Sequence, residues 1–272
     1  MLRDSVADFV ARGTDIKRVR RLRGTQPGFE ASVWRQMAEL GWLGILVPEE
    51  YGGMGLGCTE MAIVAAGTAA ALIPEPLTSA AVLAAGAITR GDNETLKREL
   101  LAQLVAGELI PALAWQERAG TINPQPVATR AAPFEAAYKL NGDKNFIAGA
   151  AGADGFVVSA QTPDGAALFW LAADTPGATL DLQPVADGRF TGRLQLNDAV
   201  IAKDRVLASP GAAGAALQAA LDTTLVMAGA ELYGVMGRVL DMSVDYMKTR
   251  VQFRHLRSRR VIVVPALWSA SM

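Results

Sequence analysis

The sequence predicts an α+β protein with a helical block over residues 1–108, a β block over 109–209 and one long helix over about 215–252. Two patterns predict this order. Apolar residues recur at a spacing of three or four in the first and last blocks, which is typical of amphipathic helices. The middle block carries seven prolines between short alternating apolar runs, which is typical of strands.

The first block is predicted to contain five helices. Two follow from apolar residues at helical spacing, over 2–10 and around 33–40. Two Ala-rich segments, 59–73 and 77–89, predict buried helices that are separated by a pair of prolines. The fifth helix carries its apolar residues over 96–105, follows an Asp-Asn pair that can cap it and stops at a glycine.

The β block contains one hairpin signal. Asn141-Gly142 tolerates the positive φ that a tight turn requires, so the sequence predicts a turn there between strands over 138–140 and 143–147. Further strands are predicted at 156–160, 167–172, 179–182 and 193–196.

Charge, hydropathy and the N-terminal segment each exclude one property: nucleic-acid binding, a membrane span and secretion. The chain has 26 Lys and Arg against 27 Asp and Glu, so it lacks a basic field for a nucleic-acid backbone. Its aliphatic runs are shorter than the roughly 20 residues of a membrane-spanning helix. Its N-terminal segment carries charges where a secretory signal has an apolar core. The sequence therefore predicts a cytoplasmic protein without a membrane span.

The chain has one cysteine, Cys58, and one histidine, His255. An internal disulfide and a cysteine-built zinc site are therefore excluded, and histidine-based triads and metal sites are nearly so. We predict no metal site. Any catalysis must come from carboxylates or from a bound cofactor.

Four segments carry further information. They are GWLGILVPEEYGGMGLG at 41–57, LAWQERAG at 113–120, KNFIAG at 144–149 and VDYMKTRVQF at 244–253. Together they resemble the motifs of the acyl-CoA dehydrogenase family. The resemblance implies an N-terminal helical domain over 1–108, a central β domain over 109–209 and, over 210–253, the first helix of an incomplete C-terminal helical domain.

The resemblance also implies FAD as cofactor and places residues around it. At the entry to the β block, Leu113, Trp115 and Gln116 would face the flavin, and Thr121 is the nearest hydroxyl. Gln116 stands where the family has Thr. From the residues alone, this segment is equally an edge strand that runs into a loop.

In the third segment, Phe146 occupies the position of the aromatic residue that packs on the flavin, and Ile147 and Ala148 follow it. Ala148 replaces a residue with a hydroxyl. Stacking of an aromatic ring would contribute on the order of 1 kcal/mol and would shield the flavin from water. Without the other segments, a lone phenylalanine after a hairpin turn is more often an ordinary core residue.

In the fourth segment, the resemblance assigns Arg250 and Phe253 to the flavin dinucleotide of a neighbouring subunit. A fixed guanidinium pairs well with pyrophosphate oxygens. Taken alone, an exposed arginine on a helix is usually solvated. Earlier on the same helix, Asp222 matches a residue near the acyl-CoA, but Leu225 stands where the family has Arg.

The implied reaction is α,β-dehydrogenation of an acyl-CoA thioester, in fatty acid or steroid catabolism. Its catalytic base is a Glu in later helices of the family, and we assign no catalytic carboxylate in this chain. Glu117 matches a family residue that is not the base, and Glu231 on the long helix is interpreted as a solvated carboxylate.

Residues 254–272 form an atypical basic tail with four Arg and no acidic residue. A solvated tail and a frameshift near codon 253 are two interpretations of it. Short stretches also resemble small subunits of heteromeric members of the family. Two hypotheses for function stay open: an enzyme subunit that takes its base from a homo- or hetero-oligomeric partner, and a non-catalytic truncated remnant. An electron-transfer flavoprotein is the implied electron acceptor.

Overall fold

The computed structural model describes residues 2–13, 15–120, 123–125, 127–252 and 255–256. The first part of the chain is helical, and a π-helical segment, Leu77–Ala84, runs directly into the fifth helix. The helices are α1 (Leu2–Gly13), α2 (Ile16–Leu22), α3 (Ala31–Glu39), α4 (Cys58–Ala70), α5 (Ala85–Thr89), α6 (Glu94–Val105) and α7 (Ala213–Thr249), with short 3-10 turns at Trp42–Gly44, Glu49–Tyr51 and Lys203–Arg205.

The middle of the chain forms an eight-stranded sheet. Its strands are β1 (Pro111–Ala114), β2 (Arg130–Phe134), β3 (Ala137–Ala148), β4 (Gly155–Thr162), β5 (Gly165–Ala172), β6 (Ala178–Pro184), β7 (Phe190–Ala202) and β8 (Val206–Ala208). The main path runs β6-β7-β3-β2-β4-β5-β8, and β1 pairs in parallel with β4. A separate two-stranded sheet joins β9 (Val251–Gln252) and β10 (His255–Leu256). The α+β fold class is confirmed. The strands predicted at 156–160, 167–172, 179–182 and 193–196 are also confirmed, as β4, β5, β6 and β7.

The predicted hairpin at Asn141-Gly142 is wrong. Strand β3 runs straight through both residues, and the turn lies at Glu135 (φ +51°), between β2 and β3. Gly142 (φ +146°) sits in a β-bulge opposite β7, where a Cβ would lie 2.8 Å from the Cα of Thr129. An Asn-Gly pair suits a bulge as well as a turn, because both need a glycine with positive φ.

The side chain of Asn141 holds this bulge against the neighbouring strand. Its Nδ2 donates to Oδ1 of Asp198 at 2.8 Å, and the backbone N–H of Asp198 donates back to its Oδ1 at 2.9 Å. The two residues are 57 positions apart, so local turn propensity gave no sign of the pairing. Long-range pairing with β7 therefore decides the course of β3.

Two apolar cores meet at β1. Leu113 points into the core shared with the helices, whereas Ala112 and Ala114 point into the core of the sheet, as expected from the alternation of a strand. The long helix α7 packs on α4, on Leu77–Ala84 and on α5. None of the helices among the described residues is long and apolar enough to cross a bilayer.

Candidate functional site

The structure brings two of the predicted flavin segments together. The segment after β1 lies beside the end of β3, because the backbone N–H of Asn145 donates to the carbonyl of Gln116 at 2.7 Å. The side chain of Asn145 adds a second link, from Nδ2 to the carbonyl of Glu117 at 2.9 Å. Trp115 and Phe146 therefore stand on two backbone segments that are tied to each other.

Phe146 is presented on a bulge. The register of β3 against β7 shifts between Lys144 and Ile147, and Phe146 takes a left-handed conformation with φ +55°. This conformation is costly for a bulky residue. The bulge leaves the Phe146 ring 50% exposed, while Ile147 beside it is buried in the core of the sheet. An exposed, fixed aromatic ring is a surface that a planar ligand can cover.

A buried ion pair lies next to this bulge and joins β3 to the segment after β1. The Nζ atom of Lys144 donates to Oε1 of Glu117 at 2.7 Å and to the hydroxyl of Ser159 at 2.9 Å. The Lys144 side chain is fully buried. Glu117 also accepts hydrogen bonds from the backbone N–H of Thr129 at 2.8 Å and from its hydroxyl at 2.7 Å. The network clamps the segment after β1 to β3 and β4.

The two partners respond to burial in different ways. Burial opposes the charge of Glu117, but the hydrogen bonds from Lys144 and Thr129 outweigh it and lower the pKa of Glu117 to about 2. Burial lowers the pKa of Lys144 to about 8, against the opposing hydrogen bond and charge of Glu117. Both groups are charged at neutral pH.

We predict that this carboxylate makes the fold sensitive to acid. Because the folded-state pKa of Glu117 is depressed from 4.5 to about 2, its stabilisation is complete above pH 4.5 and is lost as the pH falls toward 2. Between pH 4.5 and pH 2, the free energy of unfolding of wild type should fall by about 2–3 kcal/mol more than that of a Glu117→Gln variant. Urea unfolding at a series of pH values measures the difference. Parallel curves for the two proteins would contradict the prediction.

A cavity of about 340 Å³ opens beside the end of β3. Its walls come from five parts of the chain: residues 27–29, residues 76–83, the end of β3 with the stretch that follows it, residues 185–191 and one face of α7. Among its lining residues are Leu77, Thr78, Ser79, Leu83, Ala148, Gly149, Phe190, Thr224, Ala228 and Glu231. Ala148, a predicted flavin contact, therefore lies on the cavity wall two residues after Phe146.

An ion-pair network fixes the outer wall of this cavity. The Glu75 side chain is fully buried and pairs with the guanidinium of Arg18. Arg18 Nε also donates to Glu30 at 2.7 Å, and the backbone N–H of Glu30 donates to Glu75 at 3.2 Å. These bonds hold the cavity-lining residues 27–29 next to 76–79.

Glu231 contributes a carboxylate to the cavity. It lies on α7, is partly buried and accepts a short hydrogen bond from the hydroxyl of Thr78 across the cavity wall. The sequence-based interpretation of Glu231 as a solvated helix carboxylate is therefore wrong. Nothing in the sequence signals the contact, because the two residues are 153 positions apart.

The other predicted site residues lie elsewhere. Asp222 is exposed and accepts a hydrogen bond from Gln218 at 2.8 Å. Arg250 is exposed at the C-terminal end of α7, about 40 Å along the helix axis from Thr224, and its guanidinium lies over the ring of Tyr246. Thr121 and Phe253 lie outside the described residues, and so does most of the basic tail. The roles of all four stay predictions.

Among the described residues, no group of three His, Cys, Asp or Glu side chains is placed to hold a metal ion. Two networks that sequence reasoning did not single out are Lys144–Glu117 and Thr78–Glu231. The sequence carries no signal of the first, because Lys144 stands between the polar residues Asp143 and Asn145.

Comparison with known proteins assigns this architecture. Residues 1–108 match the family model of the acyl-CoA dehydrogenase N-terminal domain. FadE27 of Mycobacterium tuberculosis, named an acyl-CoA dehydrogenase, is 31% identical over 86% of this chain and 60% of its own length. This chain belongs to the acyl-CoA dehydrogenase family.

Solved structures share the fold of this chain. An acyl-CoA dehydrogenase from Bacillus anthracis complexed with FAD is 25% identical, with a TM-score of 0.87 over 95% of this chain and 46% of that one. The ChsE4-ChsE5 complex of Mycobacterium tuberculosis is 27% identical, with a TM-score of 0.79 over 94% and 68% of the chains. The chain spans about 60% of the length of the curated relative FadE27.

Proposed function

We propose that this chain binds FAD and an acyl-CoA thioester and acts in α,β-dehydrogenation of the acyl group. The observation that carries the proposal is the half-exposed ring of Phe146 on its bulge, next to a cavity that begins at Ala148. A relative of the same fold is complexed with FAD. When bound, FAD supplies the acceptor for the hydride that leaves the β carbon of the acyl group.

The residues present suit a flavin. Phe146 offers a ring face, and Gln116 and Asn145 hold the two segments around it at a fixed spacing. Trp115 is partly buried against the helical core and closes this side of the site. The buried Lys144–Glu117 ion pair links the same two segments through their side chains and limits their movement. Together these residues would orient the flavin and exclude water from one of its faces.

The cavity suits the acyl part of the substrate. Leu77, Leu83 and Ala228 supply apolar walls, and a volume of about 340 Å³ lies in the usual range for small-molecule sites. On the cavity wall, Asp187 pairs with Arg189 through an Nε–Oδ2 contact of 2.7 Å. Asp222 and Thr121 remain proposed contacts of the thioester and the flavin.

A second candidate function is that of a subunit that receives its catalytic base from another chain. The specific observation is the apolar face of α7, which no described residue covers. Its exposed side chains are Leu225, Val226, Leu232, Tyr233, Met236, Val239, Leu240, Met242 and Tyr246. Large exposed apolar patches mark interaction sites. Under this proposal Arg250 and Phe253 reach the dinucleotide bound by a neighbouring subunit, and an electron-transfer flavoprotein takes up the electrons.

The visible absorption spectrum of the purified chain tests the proposal. We expect a flavin band that survives gel filtration in wild type. Phe146→Ala should weaken FAD binding about fivefold, because the ring that covers the flavin and contributes on the order of 1 kcal/mol is lost. Phe134→Ala is the matched control, since Phe134 is also a partly exposed ring on a strand of the same sheet.

Addition of acyl-CoA thioesters separates the two candidates. Bleaching of the band would show a working site within this chain. A band that bleaches only after a second subunit is added would support the subunit proposal. Failure of wild type to bind FAD at all would overturn both.

A further inference from the structure

Apolar and polar side chains both line the cavity beside Ala148. Leu77, Leu83 and Ala228 supply apolar wall, and Thr78 and Glu231, which are hydrogen-bonded to each other, supply polar wall together with Ser79, Asp187, Arg189, Thr191 and Thr224. The other carboxylate on the wall is that of Asp187, which already pairs with Arg189 and is 46% exposed. Glu231 is therefore the acidic group on these walls that has no basic partner among the described residues.

The carboxylate of Glu231 keeps unused acceptor capacity. An ionised carboxylate offers about four acceptor positions, and Thr78 is the one side-chain donor to it within the described part of the chain. A purely apolar ligand in this cavity would strip water from the remaining positions without replacing its hydrogen bonds. That loss is a large penalty for a charged group.

We infer that the acyl group bound in this cavity carries a hydroxyl that donates a hydrogen bond to Glu231. The inference rests on the proposed function and adds the substrate class to it. A hydroxyl replaces the lost water, whereas an unsubstituted chain does not. A site built to receive a hydroxyl discriminates strongly against the analogue that lacks it. An acyl group whose terminal carboxylate lay beside Glu231 would bring two carboxylates together, and their repulsion disfavours it.

Isothermal titration of the full chain with matched acyl-CoA thioesters tests the inference. All thioesters in the series have the same acyl chain length. One member is unsubstituted, one ends in a carboxylate, and the others carry a single hydroxyl, each at a different carbon. We expect at least one hydroxylated member to bind about tenfold more tightly than the unsubstituted one, and the carboxylate to bind most weakly.

Three variants assign the preference to Glu231. Glu231→Leu should abolish it, and Glu231→Gln should keep part of it, because the amide oxygen still accepts a hydrogen bond. Asp241→Asn changes an exposed carboxylate of α7 that does not line the cavity and should leave the preference unchanged. Circular dichroism melting curves check that each variant is folded.

The outcomes separate this inference from the proposed function. Binding of acyl-CoA without any hydroxyl preference, or a preference that persists in Glu231→Leu, overturns the inference alone. Failure of every thioester to bind overturns the proposed function and the inference with it.

Discussion

Replacing Lys144 with methionine is expected to lower the free energy of unfolding by about 3–5 kcal/mol, because removal of one member of a buried ion pair leaves the other charge uncompensated. The Lys144 side chain is fully buried, and Glu117 is 15% exposed. The methionine fills a similar volume, so the loss reports the charge rather than a cavity. Urea unfolding followed by circular dichroism measures it.

A double-mutant cycle gives the sharper result. The double variant Lys144→Met with Glu117→Gln has neither charge. Its loss in free energy of unfolding should be smaller than the sum of the losses of the two single variants, by about 2 kcal/mol or more. Lys248→Met is the control, since Lys248 pairs with Asp245 at the surface and is 65% exposed. Its effect should stay within about 1 kcal/mol. Equal effects at Lys144 and Lys248 would show that the buried pair contributes nothing.

Replacing Gly234 with alanine is expected to destabilise the chain by about 3 kcal/mol. Gly234 lies on α7 where that helix crosses α4, and a Cβ there would overlap the backbone oxygen of Ala66. A backbone atom cannot rotate away as a side chain can, so the two helices must separate and lose packing along their contact. Thermal or urea unfolding gives the magnitude.

The matched control for this substitution lies one turn further along α7. Gly237 has nothing within 4 Å of the position of its Cβ. Gly237→Ala should therefore stabilise the chain by about 0.5–1 kcal/mol, because alanine costs less conformational entropy than glycine in a helix. Changes of the same sign at both positions would contradict the close helix contact.

The flavin role of Phe146 stays a prediction. The motif KNFIAG predicts an aromatic residue at the flavin position, and the structure holds this ring half exposed on a bulge beside the cavity. The motif could not show the bulge itself, since the register shift depends on pairing with β7, some 45 residues further along the chain. For the same reason the pair Asn141-Gly142 predicts a turn, whereas the folded chain has a bulge there.

Carboxylates show the limit of sequence reasoning most clearly. Glu231 carries the same pattern as other acidic residues of α7, yet it alone of them lines the cavity with Ala148. Glu117 matched a family residue without a known catalytic role and is the counter-charge of a buried lysine. The hydrogen-bond partners of these two carboxylates lie 11 to 153 positions away in the sequence.

Periodicity and composition were enough to establish the helical first block, strands β4 to β7 and the long helix α7, because hydrophobic spacing acts over a few residues. The single cysteine and histidine were enough to direct attention to carboxylates and a cofactor. The exposed ring of Phe146, the Lys144–Glu117 pair, the Thr78–Glu231 contact and the close approach at Gly234 emerged only in the folded chain. Each depends on the distance between segments that are remote in sequence, and packing of the whole domain sets that distance.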